Sequence, residues 1–346
     1  MTGTAVVVGA GVAGLATAIG LRRAGWEVAL LERRTELERY GTAFGIHPTA
    51  QAALERLGVG TAFHARAVPY RSARIRTPRG KTLASLPLER IERKAGRPEL
   101  LISRPYLIDA LLTELDGLGV PLTLGQRVSD VNALRDDCDL LVGADGIRSA
   151  VRAACFGERS GPHHVGTTAW IGIADFESGV YGETWGSGRS FGMTPVEPGR
   201  TNWYATVPEA VTAEELREQF DGWHDPIPRI LNGSDPATWI RYEMRHLFPA
   251  LPSFVHGTSV ALVGDAAHAM TPNLGQGACT AILDAEALTR AVVEHGAADL
   301  KSALLDYDRK RRRAAQRVAL GSRTLHRVMT TEHTRLRDAL LRLLPS

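Results

Sequence analysis

Cysteine is scarce in this chain. Three occur in 346 residues, Cys138, Cys155 and Cys279, unevenly spaced and without a C-x-x-C pair. That excludes a disulfide framework and a cysteine-based zinc site, and it fits a reduced, cytoplasmic compartment. Charge of one sign is also lacking. The net formal charge of +3 is too small to argue for nucleic acid. One stretch without charge, Thr4 to Leu21, is long enough to raise the question of a membrane helix. It is punctuated by Gly9, Gly11, Gly14 and Gly20, which a loop and a closely packed helix explain better. No basic stretch precedes it, so neither a signal peptide nor a membrane span is expected. The chain is too long for one small core, and 44% apolar residues with 35 glycines fit one large or two intertwined α/β domains.

The β-branched run Thr4–Val8 reads as a buried parallel strand, followed by Gly9-Ala-Gly11-Val-Ala-Gly14 and a helix that Gly25 stops. Glu27 to Leu31 is the next strand, with Glu32 at its end. This is a dinucleotide-binding fingerprint in its required context. Gly9 permits the turn, Gly11 lets a pyrophosphate approach the backbone, and Gly14 lets helix and strand touch. Glu32 is placed for a ribose hydroxyl pair, and Arg33 for an adenine or a solvated turn. The fingerprint leaves NAD and FAD both open.

A second unit runs from Leu262 to Asp284. A strand, Val260 to Val263, is cut off by Gly264-Asp265. A loop with Pro272, Gly275 and Gly277 comes next, then a helical pattern from Ala278 to Val293. Glycines admit a flat ligand to the backbone. The helix start aims unpaired N–H groups at it. Asp265 can accept from a polyhydroxyl arm.

A third unit is Asp139 to Arg152, a buried strand ending at Gly143 and an acid–glycine turn, Asp145-Gly146, leading into a helix that carries Arg148 and Arg152. After a parallel strand such a turn lies at the ligand edge of the sheet. Arg104, at the start of the helix capped by Ser103, would face the same side. Between these units the pattern changes. Arg71 to Leu86 alternates as a hairpin, and Thr167 to Val207 mixes aromatics with turns as an antiparallel sheet suited to a flat substrate. Gly188-Arg-Ser190-Phe-Gly192 matches the hydrolase elbow, but the residues after it are strand-like and no helix begins there, so that reading is rejected. Leu247 to Val255 reads as a linker, and the tail from Ala303 to Leu344 as helical, with Arg309 to Arg313 on a solvated face.

Together the three units resemble the class A flavin-dependent monooxygenases, the para-hydroxybenzoate hydroxylase-like family. The segments Glu183-Thr-Trp-Gly-Ser-Gly188 and Ala267 to Gly277 are similar to its heteroaromatic hydroxylase and epoxidase branch. The resemblance implies a glutathione-reductase-type Rossmann-like FAD-binding domain of α/β class, formed by residues 1–70, 97–160 and 255–300. An inserted antiparallel β-sheet substrate domain would comprise 71–96 and 161–254, and helices would fill 301–346. It implies FAD held by Gly9, Gly11, Val12, Ala13, Gly14, Glu32 and Arg33, with Gly45, Arg104, Val128 and Asp145. Gly264, Asp265 and the loop Pro272, Gly275, Gln276, Gly277 and Ala278 would complete the site. The segment between Val128 and Asp139 is shorter than the family's strand pair there, and no thioredoxin-like extension is expected.

The implied chemistry is reduction of FAD by NADH or NADPH, with the nicotinamide docking transiently. Reaction with O2 then gives a flavin C4a-hydroperoxide, which hydroxylates or epoxidises an aromatic, indole-like or polyene small molecule. His47, Arg189, Trp203 and Tyr204 are candidate reacting or positioning groups. A reductase or oxidase on the same fold is the alternative. A halogenase would carry W-x-W-x-I-P, which none of the six tryptophans makes. Monomer and dimer both remain open.

Overall fold

The computed structural model describes residues 3–37, 43–208 and 211–343. Thr4–Val8 and Glu27–Leu31 are neighbouring parallel strands joined by the helix Val12–Arg23. Leu140–Gly143 pairs with the other side of Thr4–Val8, and Val260–Leu262 lies beyond it. Helices cover both faces, so these strands are continuously apolar, and Val7, Leu30 and Leu140 through Val142 are fully buried. Across the sheet the order is 255–256, 260–262, 140–143, 4–8, 27–31, 122–123. The chain thus runs outward from Thr4–Val8 in one direction first and in the other later. Its order reverses between Thr4–Val8 and Leu140–Gly143, which opens a crevice at their carboxyl ends. A Cβ on Gly14 would fall 1.7 Å from the Gly9 carbonyl oxygen, so the first helix lies directly against the glycine loop.

A seven-stranded sheet has the order 240–248, 161–174, 200–207, 190–197, 182–185, 74–76, 82–85. Its pairs are antiparallel except Gly182–Trp185 with Arg74–Arg76. One face carries Trp170, Phe191, Met193 and Trp203 under the helices Ala213–Phe220 and Ile227–Gly233. The other carries Glu183 and Tyr204 and meets a three-stranded sheet of Ala43–Ile46, Glu99–Ser103 and Val68–Tyr70.

Three expectations need correction. Arg148 lies in the turn before the helix Ala150–Phe156 and not on it. Leu247 and Phe248 end the strand Ile240–Phe248, so the linker is shorter than read. The tail is helical as expected, in two helices, Leu300–Met329 and Thr334–Leu341. The run Arg309 to Arg313 is not simply solvated, because Arg311 turns inward to Asp284 at 2.8 Å. Where the family's strand pair is shortened, a helix Val131–Asp136 fills the gap, capped by the Asp130 carboxylate. Among the described residues no helix is long and apolar enough to cross a membrane.

Candidate cofactor and substrate site

A cavity of about 670 Å³ occupies the crevice at the order reversal. That is within the ordinary range of small-molecule sites. Gly9, Gly11, Val12 and Ala13 form one wall, and Pro272, Gly277 and Ala278 another. The N-cap positions of both flanking helices, Gly11 and Gln276, make no side-chain cap hydrogen bond. Their first-turn N–H groups and positive dipole ends are therefore left to a ligand, and an anionic one suits them. A Cβ added to Gly11 would meet nothing within 4 Å, so the space before it is open. Gly264 has a φ of 58°, and a Cβ there would lie 2.7 Å from that of Ala13. Only glycine lets this turn meet the start of the helix Val12–Arg23.

Glu32 is buried, and its carboxylate accepts from the N–H groups of Ala10 (2.8 Å) and Arg34 (3.0 Å). It ties the end of the second strand to the glycine loop. Arg33 and Val128 line the cavity beside it, with Gln126 and Arg127. Asp145 accepts from Ala150 N through Oδ2, while its Oδ1 is buried without a partner. Arg104 and Arg148 reach the same cavity. Arg152 is instead structural. It is buried and donates to the carbonyls of Ser160, Ala266 and Ile147.

Asp265 opens into the cavity, and the surrounding protein raises its carboxyl pKa, opposed by His268, Arg104 and Arg152. Directly behind it, Asp284 is fully buried and holds three donors. His268 Nε2 lies 2.5 Å away, Arg311 Nε 2.8 Å and Gly264 N 3.0 Å. Burial would raise Asp284, but His268 and Arg311 outweigh it and hold the carboxyl below its ordinary range. Sequence reasoning missed this anchor, although an acid seven residues into a helix of otherwise buried apolar residues was visible.

Gly14, Gly45, Gly264, Gly275 and Gln276 are not in the cavity wall. Gly45 sits where a Cβ would fall 2.7 Å from the Glu99 carboxylate. The four candidate reacting groups separate. Trp203 lies on the helix-covered face, stacked on Phe191 at 5.6 Å, as core. Arg189 donates to the Gln219 carbonyl on that same side. Tyr204 lies on the opposite face, where its hydroxyl donates to Glu183 at 2.5 Å, and Trp185 Nε1 donates to the other carboxylate oxygen. Burial pushes both Glu183 and Tyr204 upward. His47 stands at the start of the helix Pro48–Arg56, with Nδ1 3.2 Å from Glu99 and Nε2 buried without a partner. Its backbone N–H meets the Cys279 thiol, which donates to the Gly45 carbonyl, so His47 is tied to the helix start at Gly277. Glu99 gave no sequence signal, and Glu183 figured only within the segment Glu183 to Gly188 with no role of its own, because each belongs to a short strand whose face only tertiary packing defines.

The open space at Gly11, the two uncapped helix starts and the unpartnered Asp145 oxygen fit an extended dinucleotide. The chain matches the family described as FAD binding domain over residues 2–322. It is 34% identical to aurachin C monooxygenase/isomerase of Stigmatella aurantiaca, over 99% of this chain and 94% of that protein. It is likewise 34% identical to 2-heptyl-3-hydroxy-4(1H)-quinolone synthase of Pseudomonas aeruginosa, over 83% and 80% of the two chains. The structure of Klebsiella pneumoniae HpxO with FAD and uric acid superposes with a TM-score of 0.86 at 25% identity, covering 98% of this chain and 91% of that one. These likenesses favour oxygen insertion over the reductase or oxidase alternative. The chain belongs to the FAD binding domain family, as an FAD-dependent monooxygenase that takes NADH or NADPH as co-substrate.

Proposed function

We propose that the substrate is a planar nitrogen heteroaromatic with an ionisable N–H or O–H. It would sit between the three-stranded sheet and the Glu183–Tyr204 face of the seven-stranded sheet. One observation carries this reading. Glu99 engages His47 Nδ1, while Nε2 is buried and unpartnered. A carboxylate on Nδ1 makes that nitrogen the donor and leaves Nε2 as the base. Nε2 then takes the substrate proton and leaves an electron-rich ring, with Glu99 stabilising the imidazolium. On the facing sheet Asn202 Oδ1 is also buried without a partner and offers an acceptor to a ring N–H. Tyr204 and Glu183 hold each other in place as a polar wall. The named actions of two relatives, hydroxylation of urate and synthesis of a hydroxyquinolone, agree with this class.

Bound FAD, once reduced by NAD(P)H, supplies the activation of O2. The chain's part is to hold and shield. The N–H groups at Gly11, Val12 and Ala13, closed up by Gly9 and Gly14, would take the pyrophosphate. Glu32 would take the ribose, Arg33 and Val128 the adenine, and Arg104, Asp145 and Asp265 the central arm. Gly264 and the stretch Pro272, Gly275, Gln276, Gly277 and Ala278 would border the ring system, with Gly45 opposite. The division at 1–70, 97–160 and 255–300, with the inserted segments 71–96 and 161–254, goes with this assignment. Supply of NAD(P)H and three unpaired cysteines suit the cytoplasm.

The test is turnover of purified, FAD-loaded protein with NADH or NADPH and isotopically labelled O2 against hydroxyquinolines, purines, indoles and a polyene. Label should enter an ionisable heteroaromatic. His47→Gln should slow that turnover by about 10² to 10⁴ while FAD stays bound. Label entering only the polyene, or an unaffected His47→Gln, would refute the assignment.

A further inference from the structure

The C-terminal helices carry positive charge and apolar surface together. Between residues 309 and 343 there are eleven Lys and Arg against two Asp and Glu. Several are used internally. Arg311 pairs with Asp284 and Arg312 with Asp308. Arg337 is buried and donates to the Gly186 and Trp185 carbonyls. Arg313, Arg317, Arg327, Arg335 and Arg342 are exposed and have no ion-pair partner among the described residues. The first three share one helical stripe with the exposed Leu320.

The helix Thr334–Leu341 turns Leu341 and Arg337 inward. Leu336, Leu340 and Leu343 face the other way, 64%, 57% and 79% exposed. Their spacing of four and three, continued one turn past the helix end by Leu343, makes one apolar face, with Arg335 and Arg342 seven residues apart along one flank of it. Three leucines exposed side by side at a helical period are more than scattered surface apolar residues require.

We propose that this face seats the enzyme on an anionic lipid surface. The leucines enter the boundary between headgroups and acyl chains, and the flanking arginines meet the phosphates. The charge decides between occupants. A second copy placed on the same face by a two-fold axis would bring arginines against arginines. A phosphate backbone would leave the leucines without a partner. The helix is fastened through Arg337 to the carbonyl of Trp185, whose indole holds Glu183. A lipid surface here would therefore lie close to the strand that presents Glu183. The docking itself does not depend on the substrate assignment.

The test is co-sedimentation of the FAD-loaded protein with vesicles of phosphatidylglycerol and phosphatidylcholine, and with phosphatidylcholine alone. Binding should require the anionic lipid and fall with salt. Arg335→Gln with Arg342→Gln should weaken it by about 25-fold, at roughly fivefold per arginine. Leu336→Glu with Leu340→Glu should abolish it, with melting temperature and flavin absorbance unchanged. Three results would overturn the proposal: no binding to anionic vesicles at low salt, a leucine variant that binds like the wild type, or a wild-type dimer that the leucine variant dissociates.

Discussion

Asp284→Asn tests whether the cofactor loop is held by charge. Asp284 is fully buried and engages His268 at 2.5 Å, Arg311 at 2.8 Å and the Gly264 N–H at 3.0 Å. Asparagine keeps the shape but has one acceptor oxygen for three donors, and its amide hydrogens would face Arg311 or His268. Removing one partner from a buried ion pair costs about 3–5 kcal/mol, most of it the desolvated charge left behind. Arg311 retains 13% exposure and can recover some hydration, so the lower end, about 3 kcal/mol, is expected. That is a large share of a typical total of about 5–15 kcal/mol. Urea unfolding tracked by circular dichroism reads it. The sign of the pH dependence comes from the depressed folded-state carboxyl. The stabilisation is complete above the unfolded value of 3.8 and is lost as pH falls through the lower folded value. The wild type should lose its advantage over the variant in that window. FAD affinity should fall too, because Gly264 and Asp265 are positioned by the same carboxylate. A variant within about 0.5 kcal/mol of wild type, the range of ordinary surface changes, would show that the charge does not hold this loop.

Gly11→Ala should fold normally, since its Cβ meets empty space, yet lose FAD affinity by about tenfold or more in fluorescence titration. Gly14→Ala should fail to fold or lose the cofactor altogether, because its Cβ would lie 1.7 Å from the Gly9 oxygen. Glu99→Gln should act through His47 as a positioning change, lowering kcat with KM little changed in steady-state assays of the FAD-loaded protein. Trp203→Ala should cost about 3–5 kcal/mol of stability as a core truncation, read by denaturant melts, with no specific loss of substrate affinity in Trp203→Phe.

Much of the cofactor half was legible because its determinants are local. The run Gly9 to Gly14, the acid Glu32 and the loop Gly264 to Gly277 lie within single strand–loop–helix joints, where a missing Cβ or a strand end acts at its own position. Even the shortened segment after Val128 was visible as a length. Alternation in Arg71 to Leu86 and aromatics broken by turns in Thr167 to Val207 also located the inserted sheet. They left open which face looked inward, since both faces of that sheet are covered. Trp203 and Tyr204 are adjacent in sequence and therefore on opposite faces, and one is core while the other pairs with Glu183 on the face toward the three-stranded sheet. Only the packing of two helices on one side and a three-stranded sheet on the other decides which is which. The same holds for Asp284, Arg311 and the His47–Glu99 pair, whose members lie far apart in the chain. Local chain chemistry was enough to specify a nucleotide cradle. The pairing of distant charges depends on how whole layers stack, and it was settled only when those layers came together in the fold.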